Sequence, residues 1–213
     1  MKSKVYQAMH DERNQEILST VKKMIVEDGL LNLSMSSIAL TLKISRQTLY
    51  KYFHSLADIA YRIQDDDMLK VNEYFGTFLP RLQGTATDKL LGIVDEFFAY
   101  EEAHLPDFIF TYYFDSYFNA HSNREDLKAD YQKIIGAMPM FREIACLIEE
   151  GKADGTIRKD IDTPAAVSFF SNTLQSLVGR LAIFAYDEES LPLFDRKNIH
   201  NEFLVAFRRY LRP

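Results

Sequence analysis

Turn-forming residues are scarce in this chain: eight glycines and six prolines in 213 residues. An all-β sandwich needs a turn signal about every 8–12 residues, so long helices are the expectation. A single cysteine, Cys146, leaves no partner for a disulfide within one chain or for a cysteine-based zinc site; a buried, inert thiol is expected there. No apolar run approaches the ~18 residues of a membrane span, and MKSKVYQAMHDERNQ has no hydrophobic stretch of signal-peptide length. The expectation is a cytoplasmic protein with no membrane partner. A Gly-rich phosphate loop, a Gly-x-Ser-x-Gly elbow and a Cys/His pair are all missing, which argues against an enzyme and implies no cofactor.

What is present belongs to an ordinary globular protein, with 47% hydrophobic and 26% charged residues. Ile17, Leu18, Val21, Met24 and Ile25 make one apolar stripe of a helix from about His10 to Asp28, which Gly29 can close. Ser34 offers an N-cap to a short helix through Met35, Ile38, Ala39 and Leu42. Ser45 caps a second, Arg46 to Phe53, with Leu49 and Phe53 facing inward at i and i+4. Two short helices joined by a tight turn at Lys43-Ile44 make a helix-turn-helix.

Further helices are expected from Ser55 to Phe78, Asp88 to His104, Asp107 to Ala120, and Asn123 to Gly151 with Pro139 kinking or splitting it. Gly151 and Gly155 bracket a turn. Thr163-Pro164 reads as N-cap and first residue of a helix reaching about Tyr186, and Asp195 to Leu211 closes the chain. The fold class is all-α.

The net charge of -6 argues against nucleic acid, but it is unevenly spread. Residues 1 to 60 carry eight Lys and Arg against six Asp and Glu, and from Gly29 to Leu56 there is no acid at all. A cationic face on an acidic body follows. The second short helix leaves Arg46, Gln47, Thr48, Tyr50, Lys51 and Tyr52 outward, side chains able to donate to phosphates and to base edges in a major groove.

The segment SMSSIALTLKISRQTLYKYFHSLADI, Ser34 to Ile59, resembles the DNA-binding signature of the TetR family of transcriptional regulators. The resemblance rests on Ile38-Ala39, on Ser45, Thr48, Leu49, Tyr50 and Phe53, and on the preceding helix with its glycine. A weaker echo lies at GKADGTIRKDID, Gly151 to Asp162. The resemblance implies a DNA-binding domain at residues 1–54 and a helical effector-binding and dimerisation domain at 55–213. Its recognition helix falls on Arg46 to Tyr52. Arg46, Gln47 and Lys51 are the candidates for base edges and Tyr50 and Tyr52 for phosphates, while Ser34 and Thr48 can serve either and capping alone accounts for Ser34. Two positions depart from the pattern: Lys43 stands where glycine is usual in the turn, and Leu56 where a phosphate-binding lysine is common. Lys43 and His54 are the nearest replacements for that lost cation.

Ten of the 28 aromatics lie between Phe97 and Phe118. Phe110, Phe114 and Tyr117 share one helical side and Tyr112 and Tyr113 turn away from it, so one face cannot bury them all. The resemblance implies an effector pocket, for which Phe97, Tyr100, Phe110, Tyr113, Phe114 and Tyr117 are the candidates; they favour an apolar or aromatic small molecule. Two wide apolar faces on the last helices imply a homodimer, with Phe170, Leu174, Leu177, Val178, Leu181, Phe203 and Phe207 at its interface. Glu101-x-x-His104 has the spacing of a di-iron ligand pair but no second copy, so no metal is expected. Asp65-Asp66-Asp67 reads as a solvated face. The expectation is a homodimeric regulator, a repressor released from a palindromic double-stranded DNA operator by a small molecule. The rival reading is a helical ligand-binding or adaptor dimer that does not bind DNA, with Leu56 and the acidic body in its favour.

Overall fold

The computed structural model describes residues 2–121, 123–186 and 195–213, and among these there are ten α-helices and no strand. In chain order they are α1 (Lys2–Asp28), α2 (Met35–Thr41), α3 (Arg46–Tyr50), α4 (Leu56–Phe78), α5 (Ala86–Ala103), α6 (Leu105–Tyr113), α7 (Glu125–Gly136), α8 (Pro139–Asp154), α9 (Thr163–Ile183) and α10 (Arg196–Leu211). A 3-10 turn, Leu79–Arg81, follows α4, and a π-helical turn, Phe114–Asn119, continues α6. The chain divides into two compact units, Met1–Met68 with Ile109–Ile135, and Leu69–Phe108 with Gly136–Pro213.

The first unit is built around α1. Ile17, Leu18, Val21 and Ile25 are buried along one stripe, as are Ile38 and Ala39 of α2, Leu49 of α3 and Phe53 beyond it. α1 starts at Lys2 rather than near His10, because residues 2 to 9 contain no glycine or proline to stop it. The same unit takes in the first part of α4, where Ile59, Ala60, Tyr61 and Ile63 are buried.

Polar ties join α1 to α4 and α6. Lys22 Nζ of α1 donates to Asp67 Oδ2 of α4 at 2.6 Å, and the Asp67 side chain is only 3% exposed. The same ammonium lies 6.0 Å from the centre of the Phe110 ring on α6. Thr111 of α6 donates to Oε1 of Gln64, which is fully buried on α4. Asp67 was expected in a solvated acidic run; it is buried because it faces Lys22. Gly29 closes α1 with φ +69, and a Cβ built there would stand 3.6 Å from the Tyr113 hydroxyl. The position favours glycine for its backbone rather than for space, since that distance is an ordinary van der Waals contact.

In the second unit Phe75, Phe97, Tyr100 and Phe108 pack edge to face or tilted, with centroids 5.7–6.2 Å apart. α5 begins at a capping box in which Thr85 and Asp88 bond each other's backbone amides, two residues before the expected start. Pro139 splits the long helix expected from Asn123, giving α7 and α8. Gly151 does not flank a turn. It is buried inside α8, where a Cβ would fall 2.5 Å from Ile157, so only glycine lets the returning chain pack there. Gly155 alone ends α8, with φ +83.

The cap of α9 is Asp162, whose carboxylate accepts from the Ala165 amide at 2.9 Å. Thr163 is not free to cap, because its hydroxyl donates to Glu149 and accepts from Lys152. α9 ends at Ile183, short of Tyr186. Cys146, expected to be buried, is exposed on α8.

Replacing Lys22 by methionine removes the cation facing a buried carboxylate. Urea denaturation is expected to show a loss of about 3 kcal/mol for Lys22→Met. The double variant Lys22→Met/Asp67→Leu should recover most of it, since no charge is then stranded.

Candidate nucleic-acid interface

α3 is one and a half turns long and depends on its anchors. The Ser45 hydroxyl accepts from the Thr48 amide at 3.0 Å and lies 2.8 Å from Thr48 Oγ1. The Lys51 amide closes the other end on the Thr48 carbonyl at 3.1 Å. Leu49 is completely buried beneath. With that side fixed, Arg46, Gln47, Tyr50, Lys51 and His54 are exposed on the other, and Arg46 and Lys51 make no ion pair among the described residues.

The remaining candidates are partly engaged. Thr48 is half-buried with its hydroxyl against Ser45. Tyr52 is half-buried, its ring stacked on His10 of α1 with centroids 4.7 Å apart. Ser34 is exposed and accepts from the Ser37 amide at 3.0 Å, completing a capping box with the Ser37 hydroxyl. Lys43 is exposed in the turn between α2 and α3 at φ 56, the one non-glycine residue with positive φ among those described. The departure visible in the sequence thus carries a backbone cost, roughly 1–2 kcal/mol for a residue with a Cβ. Leu56, the first residue of α4, is half-buried.

The six aromatic candidates for an effector site fall in both units. Phe97 and Tyr100 are core residues of the second. In the first, Phe110 and Phe114 are fully buried, Tyr113 is half-buried over Gly29, and Tyr117 is 52% exposed. The expected side shared by Phe110, Phe114 and Tyr117 is broken by the π turn. Its i→i+5 bonding widens the helix, carries the third residue on further off the face, and leaves Phe118 buried in place of Tyr117. Phe114, Tyr61 and Tyr131 pack edge to face, with centroids 4.9–6.3 Å apart.

Charge is held near this cluster. Burial pushes the Asp65 carboxyl up to about 6; Arg62 opposes the shift, and Asp66 and Asp130 add to it. Its Oδ1 is buried without a hydrogen-bond partner. Burial also raises Asp115, and burial with Asp115 nearby raises the Tyr131 phenol.

The residues expected at a dimer interface divide sharply. Phe170, Leu174, Val178, Leu181 and Phe207 are buried by their own chain, with Phe170 stacked on Phe207 at 4.3 Å. They have no surface left for a second copy. Leu177 and Phe203 are half-buried, and Phe169 and Val205 on the same two helices are 56% and 42% exposed. Glu101 and His104 do not act together: Glu101 is buried on Arg196, and His104 Nδ1 lies 2.7 Å from the Tyr100 carbonyl oxygen. Among the described residues no three His, Cys, Asp or Glu are grouped to hold a metal ion, and no helix is long and apolar enough to cross a membrane.

The sequence matches no family model and no curated protein. Solved structures do resemble this one. FadR from Bacillus subtilis, in complex with stearoyl-CoA, has a TM-score of 0.63 at 19% identity, covering 90% of this chain and 97% of that one. A regulatory protein of the tetR family from Rhodococcus RHA1 reaches 0.67 at 15% identity, covering 93% and 96%. The ketosteroid transcriptional regulator KstR2 of Mycobacterium tuberculosis reaches 0.60 at 18%, covering 94% and 95%. The chain has the fold of TetR-family regulators. In this fold the short capped helix α3 is the second helix of a helix-turn-helix formed with α2.

Sequence reasoning missed Lys22, Asp67 and Gln64, which tie α1 to α4 and α6. The signal was a lysine beside the buried stripe of α1, legible only once Asp67 is known to face it.

Lys43→Gly is expected to raise stability by about 0.5–1 kcal/mol in urea denaturation, strain relief outweighing the added freedom of the unfolded chain. Lys43→Val should lower it. For Asp65, the folded chain holds the proton more tightly than the unfolded chain, so its contribution is full below about pH 4 and is lost as pH rises through about 6. Asp65→Asn should therefore raise the melting temperature at pH 7.5 and flatten its fall between pH 4 and 6.

Proposed function

We propose that this protein is a homodimeric, sequence-specific DNA-binding regulator, a repressor released from a palindromic operator by a small apolar or aromatic molecule. The observation that carries the reading is the outer side of α3, where Arg46, Gln47, Tyr50 and Lys51 stand exposed in a stretch with no acidic residue from Gly29 to Leu56. Arg can chelate guanine and Gln adenine, each such contact being worth roughly 1–3 kcal/mol of discrimination. Residues 1–54 form the reading part and 55–213 the part that binds effector and partner. The place of action is the cytoplasm.

Two copies set two recognition helices about 34–36 Å apart on a palindrome. With five of the expected interface residues already buried within the chain, the contact falls on the outward side of the same two helices, through Phe169, Leu177, Phe203 and Val205. An effector acts by population shift, binding the dimer that cannot reach both half-sites better than the one that can. The structural neighbour solved with stearoyl-CoA supports an apolar ligand class. α1 is the lever, since its end at Gly29 and its middle at Lys22 both meet α6.

Selection of bound sequences from a random duplex pool by the purified protein tests the reading. A palindrome is expected, and Arg46→Ala and Lys51→Ala should each bind it about 10- to 100-fold more weakly while keeping the helical circular dichroism of the parent. Recovery of no sequence, both as purified and after denaturing, stripping and refolding, would instead favour a helical ligand-binding or adaptor dimer.

A further inference from the structure

The second unit contains a cleft of about 400 Å³ that none of the preceding functions uses. Its volume is that of a small-molecule site. One part of the lining is apolar, from Leu105 at the start of α6 and Leu181, Phe184 and Ala185 at the end of α9. The other part carries both signs of charge, Glu102 from α5 and Arg196 and Lys197 from α10.

These charges are not spent on one another. Arg196 gives one Nη to Glu101, which is completely buried behind it, and makes no further hydrogen bond among the described residues. Glu102 and Lys197 are exposed and form no ion pair among the described residues. Asp195, which also borders the cleft, is committed as the N-cap of α10: its oxygens accept from the Asn198 amide at 3.0 Å and from Asn198 Nδ2 at 2.8 Å.

Two features favour a carboxylate beside Arg196 and Lys197. Both cations sit in the first turn of α10, which has no acid, so they face the positive end of the helix dipole. Burial also disfavours the Arg196 charge, a cost that a second anion offsets. A simple carboxylate would nevertheless leave Glu102 facing it, and a simple amine would leave Lys197 unanswered.

We infer that this cleft binds an apolar α-amino acid, with its carboxylate on Arg196 and Lys197, its ammonium on Glu102, and its side chain against Leu105, Leu181 and Phe184. Glu102, Arg196 and Lys197 then each meet an opposite charge, Asp195 stays on its cap, and the apolar wall is covered. The site lies wholly within one unit and is independent of the DNA reading.

Isothermal titration calorimetry of the full chain against L-leucine and L-phenylalanine tests this, with N-acetyl-L-leucine and L-leucinamide as probes lacking one charge each. Saturable binding of at least one amino acid at one site per chain is expected, at least tenfold weaker for both derivatives. Glu102→Gln and Lys197→Ala, both at exposed positions, should each weaken it about tenfold with the melting temperature of the free protein unchanged. No saturable heat with either amino acid at millimolar concentration would overturn the inference. So would N-acetyl-L-leucine binding as well as leucine, or Glu102→Gln binding as well as the parent.

Discussion

An ion pair almost sealed from water, Lys22 with Asp67, is the interaction on which the first unit depends. A buried pair of this kind adds little net stability compared with apolar residues of the same shape, but it fixes register, because sliding either helix strands a charge. Here it fixes α1 against α4, while the Phe110 ring brings α6 to the same ammonium. Gln64 and Thr111 make a second polar tie between α4 and α6. The core of Ile17, Val21, Ile25, Ile38 and Leu49 holds the short helices together. The polar ties decide the orientation in which α1 is held.

That arrangement gives a physical route from α6 to α3. Tyr113 stands over Gly29 at the end of α1, and α1 in turn stacks His10 on Tyr52 just past α3. Packed groups thus connect α6 with the helix-turn-helix. The π turn that follows Tyr113 is the irregular element in this route, and it places Tyr117 outward and Phe118 inward.

Electrostatics divides the labour along the chain. The acid-free stretch around α3 keeps a cationic surface on a protein of net charge -6, so the local charge there is opposite in sign to the total. Much of the remaining charge is used internally: Glu101 with Arg196, Glu149 with Lys152 and Thr163, and Arg124 with Asp58. Arg196 and Lys197 break the local rule by standing at the positive end of α10, and the cleft beside them gives that exception a use.

Local signals were enough for much of this. Spacing and caps defined the helix-turn-helix, Ser34 and Ser45 cap as their positions demand, Leu49 and Phe53 are buried at i and i+4, and Lys43 bears the positive φ that the usual glycine would have accommodated. These are properties of residues within one turn of each other, where backbone hydrogen bonding and helical period leave few alternatives. Tertiary packing decided which apolar face is core and which is surface. Phe170, Leu174 and Phe207 were legible as apolar stripes, but only the packing of α9 against α5 and α8, and of the Phe170 ring on Phe207 of α10, shows that they are consumed within the chain. The fate of Asp67, Glu101 and Thr163 was likewise set by partners 45, 95 and 14 residues away. Periodicity says that a side chain faces inward or outward; it holds no information about which distant residue waits there.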